Sequence, residues 1–90
     1  MRQPVEVEVI GQRLTVSSDD SEAHVRQIAS YVDGRIRRLA EGRTATAPMD
    51  LVLLTALNIA SEYWKLKEEQ EELQQTISRL SKRVQAELGD

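Results

Sequence analysis

The sequence predicts an α+β fold, in which an N-terminal β-hairpin and a short helix form a small head and one long helix then forms an intermolecular coiled coil. Three observations predict it. Apolar and polar residues alternate over residues 5–16, an apolar stripe of helical period follows, and no proline or glycine occurs between Pro48 and Gly89. The chain has 90 residues and lacks cysteine and phenylalanine. We therefore expect one small domain with an aliphatic core that needs a partner for much of its burial.

The hairpin is predicted over residues 4–17. Valine alternates with glutamate in VEVEV (residues 5–9), as in a strand with one buried and one solvated face. Apolar residues alternate again in RLTV (residues 13–16). The intervening Gly11–Gln12 pair predicts a type II′ turn, with glycine at its first central position.

The first helix is predicted over about residues 20–41. Its start lies in SSDDSE, where Asp19 and Glu22 have the spacing of a capping box and acidic charge suits the positive end of the helix dipole. Gly42 is the expected stop. Gly34 inside the helix costs about 1 kcal/mol relative to alanine, unless it admits another backbone. The apolar stripe, with spacings of one, three and four, comprises Val25, Ile28, Ala29, Val32, Ile36 and Leu39.

The long helix begins near Pro48, which fits a first helical turn, and carries a heptad repeat. Residues 50–64 are apolar on two faces, so one face is expected to cover the head. The other continues into the heptads and meets a second chain. We expect three parts: 1–48 (hairpin, first helix and linker), 49–64 (head and dimer part of the long helix) and 65–90 (coiled coil). The predicted oligomerisation seam comprises Val52, Ala56, Ile59, Tyr63, Leu66, Gln70, Leu73, Ile77, Leu80 and Val84.

The composition argues against several classes of function. Twelve basic and 15 acidic residues give a net charge of −3, unlike the basic excess of most nucleic-acid binders. Asp19 and Asp20 are interpreted as helix caps rather than a catalytic pair, and His24 has no nucleophile beside it. No cofactor, metal or small-molecule substrate is expected. The absence of an 18-residue apolar run and of a signal sequence predicts a cytoplasmic chain without a membrane span.

The segments PVEVEVIGQRLTV, YVD and LLTALNIASEYWKLKEE, in this order, resemble the ZapA family of bacterial cell-division proteins. The resemblance covers essentially the whole chain, and the hairpin and the ALNIA stretch carry most of it. It implies a protein that is not an enzyme, binds the tubulin-like GTPase FtsZ and bundles its filaments at the mid-cell division ring. It also implies a homodimer, and a homotetramer formed when two dimers join through their coiled coils.

The resemblance places the FtsZ contact on the head, near the hairpin turn and the start of the long helix. On this chain these positions are Gln12 and Arg13, and Met49 and Asp50. The family often has a basic residue directly after the turn glycine, where this chain has Gln12. The positive charge can instead come from Arg35, Arg38 and Arg43.

Two other functions are compatible with the same fold. A generic coiled-coil adaptor has the same heptads and another protein partner. A nucleic-acid-binding dimer uses the basic cluster RIRR, residues 35–38, although its helix has a single aromatic residue for base stacking.

Overall fold

A computed structural model of the chain describes residues 2–89. The elements are β1 (Gln3–Val9), β2 (Gln12–Ser18), α1 (Glu22–Ala40) and α2 (Pro48–Leu88). This order confirms the predicted hairpin, first helix and long helix, and the long helix has 41 residues. The chain comprises two compact units, which we call the head unit (Met1–Ala56) and the tail unit (Leu57–Asp90).

β1 and β2 pair antiparallel, with Val5 opposite Val16, Val7 opposite Leu14 and Val9 opposite Gln12. The turn is therefore Ile10–Gly11, and both residues have positive φ, 46° and 80°. Two successive left-handed residues make a type I′ turn. The predicted type II′ turn at Gly11–Gln12 is wrong, because glycine occupies the second central position rather than the first.

α1 begins after Ser21, whose hydroxyl accepts a hydrogen bond from the backbone N–H of His24 at 3.1 Å. Asp19 is therefore not the cap, and the prediction of a capping box from Asp19 is wrong. The backbone N–H of Asp20 donates to the Ser18 hydroxyl at 3.0 Å, and this local turn delays the helix start. Glu22 lies in the first turn as expected.

The C-terminal end of α1 lies where the sequence predicted it. Glu41 is the cap and Gly42 follows with φ of 77°, the left-handed conformation that commonly ends a helix. At Gly34, a Cβ atom would meet nothing within 4 Å apart from its chain neighbours and the adjacent backbone of its own helix. No other backbone in the described part of the chain therefore approaches this glycine.

The core of the head unit is thin. Val5, Val7 and Val25 form its buried cluster, against which Val16 and Ala29 pack. Leu14 and Ile28, which the apolar patterns assigned to the interior, remain about half exposed, at 50% and 49%. The head unit therefore leaves apolar surface uncovered next to its core.

The tail unit consists of the α2 residues from Leu57 to Leu88, followed by Gly89. Within a single chain, every described side chain from Ala60 onward is exposed. Local contacts order its aromatic residues: the Tyr63 and Trp64 rings meet edge to face with centroids 6.1 Å apart, and the Lys67 ammonium lies 4.8 Å from the centre of the Trp64 ring. These contacts leave the apolar seam unpaired.

Candidate partner-binding surfaces

The hairpin turn is attached to α1 by one side chain. The backbone N–H of Ile10 donates to Asp33 Oδ1 at 2.7 Å, although 23 residues separate the two in sequence. The other carboxylate oxygen, Oδ2, accepts from Nε of Arg37 at 2.8 Å, one helical turn further along. Both oxygens of Asp33 are thus engaged, one by the turn and one by α1 itself.

These contacts set the charge of Asp33. The hydrogen bond from Arg37 and then that from the Ile10 N–H lower the pKa of Asp33, while burial opposes the shift. The same pair raises the pKa of Arg37, with a smaller contribution from Glu8. At neutral pH the turn is therefore held by an ionised carboxylate.

A shallow cavity of about 310 Å³ lies between this side of α1 and β1. Arg26 borders it, donating from Nη1 to the Glu6 carbonyl at 3.0 Å and pairing with Glu22 at 2.8 Å. The charges around the cavity are mixed, so it is not a simple anion or cation site. Its lining residues are Val7, Glu8, Arg26, Ala29, Ser30, Asp33 and Arg37.

Gln12 and Arg13, the predicted partner-binding residues of the hairpin, follow the turn directly. Both are exposed, and Arg13 stands opposite Glu8 across the two strands. The Asp33 hydrogen bond therefore fixes the backbone immediately before this predicted contact.

The basic cluster of α1 is divided between two sides of the helix. At about 100° per residue, Arg35 lies roughly 200° around the axis from Asp33, whereas Arg37 lies about 40° from it. Arg35 donates from Nη1 to the Tyr31 hydroxyl at 2.7 Å, and its guanidinium carbon lies 5.6 Å from that ring's centre. Arg38 lies about 140° from Asp33, closer to the Arg35 side.

Arg43, Met49 and Asp50 occupy two further places. Arg43 follows α1, where its backbone N–H donates to the Ala40 carbonyl at 3.0 Å. Met49 and Asp50 are exposed in the first turn of α2. The seven predicted partner-binding residues thus lie at four places on the head unit: beside the turn, on the Tyr31 side of α1, after α1, and at the start of α2.

The predicted oligomerisation seam is largely uncovered in one chain. Val52 and Ile59 are partly buried, whereas Ala56 and Gln70 are exposed. Exposed fractions of 50–65% characterise the remaining apolar members of the seam, which are Tyr63, Leu66, Leu73, Ile77, Leu80 and Val84. Large apolar side chains with this spacing and exposure are typical of a helix that pairs with another helix.

Asp33 and Arg37 were not singled out as functional from the sequence. Their spacing of four residues on a helix is typical of an ion pair and is the signal that could have identified them. Asp33 also ends the YVD segment that carries part of the resemblance. No local sequence pattern predicts the hydrogen bond from the Ile10 N–H to Asp33, because it joins residues that are far apart in the chain.

Within 2–89, no helix combines the length and apolar character that crossing a membrane requires. The same residues contain no group of three or more histidine, cysteine, aspartate or glutamate side chains suited to holding a metal ion.

Known sequences match nearly the whole chain. A family profile described as cell division protein ZapA matches residues 5–88. A curated ZapA from Bacillus thuringiensis strain Al Hakam is 36% identical over 75 residues, covering 83% of this chain and 84% of the relative. A ZapA from Geobacillus kaustophilus strain HTA426 is 39% identical over 75 residues, covering 83% and 82%.

Solved structures match the fold. A structure described as a mutant ZapA dimer from Geobacillus stearothermophilus has a TM-score of 0.73 and 36% identity, covering 87% of this chain and 91% of its own. An unknown conserved bacterial protein from Pseudomonas aeruginosa PAO1 has a TM-score of 0.59 at 24% identity, covering 94% and 91%, and it supports the fold alone. The first match confirms the predicted α+β fold class.

Proposed function

We propose a function that proceeds from one premise: the chain belongs to the ZapA family of cell division proteins. It is a non-enzymatic scaffold that binds FtsZ, the tubulin-like GTPase of the division ring. By binding two filaments at once, it crosslinks and bundles them. It acts in the cytoplasm at mid-cell, where the ring assembles.

The observation that carries this proposal is the uncovered apolar seam of α2. Its apolar residues from Tyr63 to Val84 repeat at heptad spacing and expose half or more of their surface in a single chain. A second copy of the chain supplies the missing cover, and the described dimer of the Geobacillus stearothermophilus relative supports self-association. Two dimers joined through their coiled coils give a tetramer with several FtsZ sites.

Several sites on one particle explain how weak contacts bundle filaments. Once one site is bound, a second binds at the effective concentration set by the particle, so avidity exceeds the affinity of either site. This mechanism needs no catalytic residue and no cofactor. It needs only a stable oligomer and an FtsZ contact on each head unit.

We place the FtsZ contact at the hairpin turn, with Gln12 and Arg13, and at the start of α2, with Met49 and Asp50. Two observations support the placement at the turn: Gln12 and Arg13 are exposed, and Asp33 attaches the turn to α1. Arg35, Arg38 and Arg43 are the alternative source of positive charge.

The function is tested by co-sedimentation of the full chain with FtsZ in GTP and in GDP, with negative-stain microscopy of the same samples. We expect the protein to pellet with GTP polymers and the filaments to bundle. A protein that stays in the supernatant at tens of micromolar contradicts FtsZ binding and favours an adaptor for another protein.

The contact is tested by Arg13→Glu, which reverses a charge beside the turn. We expect it to weaken FtsZ binding about tenfold while the oligomer mass stays the same, because Arg13 lies outside the seam. Lys82→Glu makes the same charge change on the tail unit, away from the seam, and is the matched control. If Arg38→Glu weakens binding and Arg13→Glu does not, the contact lies on the Tyr31 side of α1.

A further inference from the structure

We propose that Asp33 is a positioning residue that holds the hairpin turn in the conformation that binds FtsZ. It does so by accepting the Ile10 N–H and so fixing a β-branched residue in the left-handed region. The inference rests on the proposed function, because it concerns the turn to which we assign the FtsZ contact.

The conformation of Ile10 requires an external support. Its φ is 46°, and it is the one non-glycine residue of 2–89 with positive φ. Isoleucine is poorly suited to this region, because its branched Cβ crowds the backbone there. Type I′ turns strongly prefer asparagine, aspartate or glycine at this position. The local sequence therefore does not favour the turn that forms.

The support is a hydrogen bond of short length to an ionised group. Asp33 Oδ1 lies 2.7 Å from the Ile10 nitrogen, within the range of charge-assisted bonds. The carboxylate cannot easily rotate away, because Arg37 holds its second oxygen at 2.8 Å. The Asp33 side chain is also only 25% exposed, so water competes weakly for it.

A fixed turn lowers the cost of binding. Gly11, Gln12 and Arg13 follow Ile10 and are exposed, so they are positioned by the backbone that Asp33 holds. A loop that is already ordered loses less conformational entropy when its partner binds. Loss of the Asp33 acceptor oxygen therefore weakens FtsZ binding although Asp33 itself does not touch FtsZ.

The test is a double-mutant cycle between residues 33 and 10 in the full chain, with two readouts. Asp33→Ala removes the acceptor, and Ile10→Asn gives the turn a residue that favours positive φ. Asp33→Asn is the conservative variant, because its amide oxygen still accepts from the Ile10 N–H. The readouts are hydrogen exchange of the residue 10 amide and co-sedimentation affinity for GTP-polymerised FtsZ. Asp19→Ala, which removes an exposed carboxylate 3.8 Å from Arg2, is the control.

We expect Asp33→Ala to speed residue 10 exchange and to weaken FtsZ binding, each about tenfold. In the Ile10→Asn background the same change alters affinity less than about threefold, because the turn no longer depends on the carboxylate. Asp33→Asn retains most of the affinity, and Asp19→Ala matches the parent. Oligomer mass is unchanged throughout.

Two results would overturn the inference. One is unchanged exchange of the residue 10 amide in Asp33→Ala. The other is an equal loss of affinity on Asp33→Ala with and without Ile10→Asn. That result indicates that Asp33 contacts FtsZ directly or acts through general stability. If the parent chain itself does not bind FtsZ, the proposed function fails, and the exchange measurement alone then judges whether Asp33 holds the turn.

Discussion

At the scale of single residues, Asp33 has the most consequences in the head unit. Its contacts with Ile10 and Arg37 join the turn to α1 and keep the carboxylate ionised. The lowered pKa of Asp33 means that the folded chain holds this proton less tightly than the unfolded chain. A carboxyl group with a depressed pKa stabilises the fold above its unfolded pKa, and this contribution is lost as pH falls through the folded value.

We therefore predict an acid-dependent difference between the parent and Asp33→Asn. The parent should be more stable to urea at pH 5–7, and the difference should shrink as pH falls below about 4, the ordinary range of an aspartate. Glu8 is a second carboxylate beside Arg37, so the parent and Asp33→Asn are also compared in a Glu8→Gln background. Unfolding midpoints at fixed protein concentration measure the effect. A difference independent of pH would show that the charge of Asp33 does not contribute.

Residue-level detail was only partly predictable from the sequence. The cap of α1 lies in SSDDSE, where five of the six residues are good cap formers, and Ser21 rather than Asp19 takes the role. Local spacing could not select between them, because the choice depends on the hydrogen bond from the Asp20 N–H to Ser18. Gly42 was predictable, because few residues other than glycine end a helix with positive φ.

At the scale of elements, the hairpin and both helices followed from hydrophobic period, but the strand register did not. The predicted turn pairs Val9 with Leu14, and the observed turn pairs Val7 with Leu14. Both registers place apolar side chains opposite one another, so alternation alone does not discriminate. The bond between Ile10 and Asp33 favours the observed register, and it spans 23 residues.

No contact within the described part of the chain requires a glycine at position 34 of α1. Gly34 lies in the helix interior, and a Cβ there would meet nothing within 4 Å. We predict that Gly34→Ala stabilises the protein by about 1 kcal/mol, because alanine loses less backbone entropy on folding. Urea unfolding of the parent and Gly34→Ala at the same protein concentration measures the difference in the free energy of unfolding.

Gly42→Ala is the matched control for this prediction. Its φ of 77° is unfavourable for alanine, so it should destabilise the protein. If Gly34→Ala instead lowers the oligomer mass, another copy of the chain approaches α1 at Gly34, which is the close backbone approach that the sequence left open.

At the scale of the whole molecule, the proposed self-association takes the place of intrachain packing in the tail unit. The described tail residues make no long-range cover for Leu66, Ile77 or Leu80, whose side chains are more than half exposed. The apolar stripe of the tail helix was predictable from the sequence, because a heptad repeat is a local property of one helix. The half exposure of Leu14 and Ile28 was not predictable, because an apolar pattern shows which face packs inward and not how much of that face its neighbours cover.

We predict that Ile77→Glu splits the oligomer, because it places a charge in the apolar seam, where burial without a partner is costly. Gln75→Glu adds the same charge two residues away, outside the seam, and should leave the mass unchanged. Sedimentation or light scattering across a concentration series measures the mass of each variant. An unchanged mass for Ile77→Glu would show that the heptad assignment is wrong.

The thin core of the head unit also has a consequence for how much of the protein a cell contains. Valines 5, 7 and 25 and Ile36 are the apolar side chains buried within the described residues of one chain, so newly made copies that have not met a partner are poorly protected. Such copies open readily and are cut by cellular proteases in proportion to their open population. Copies paired through the proposed seam are protected, and pairing rises more steeply than synthesis because it needs two chains. Abundance should therefore show a threshold: a small fall in synthesis removes a disproportionate share of the working particles.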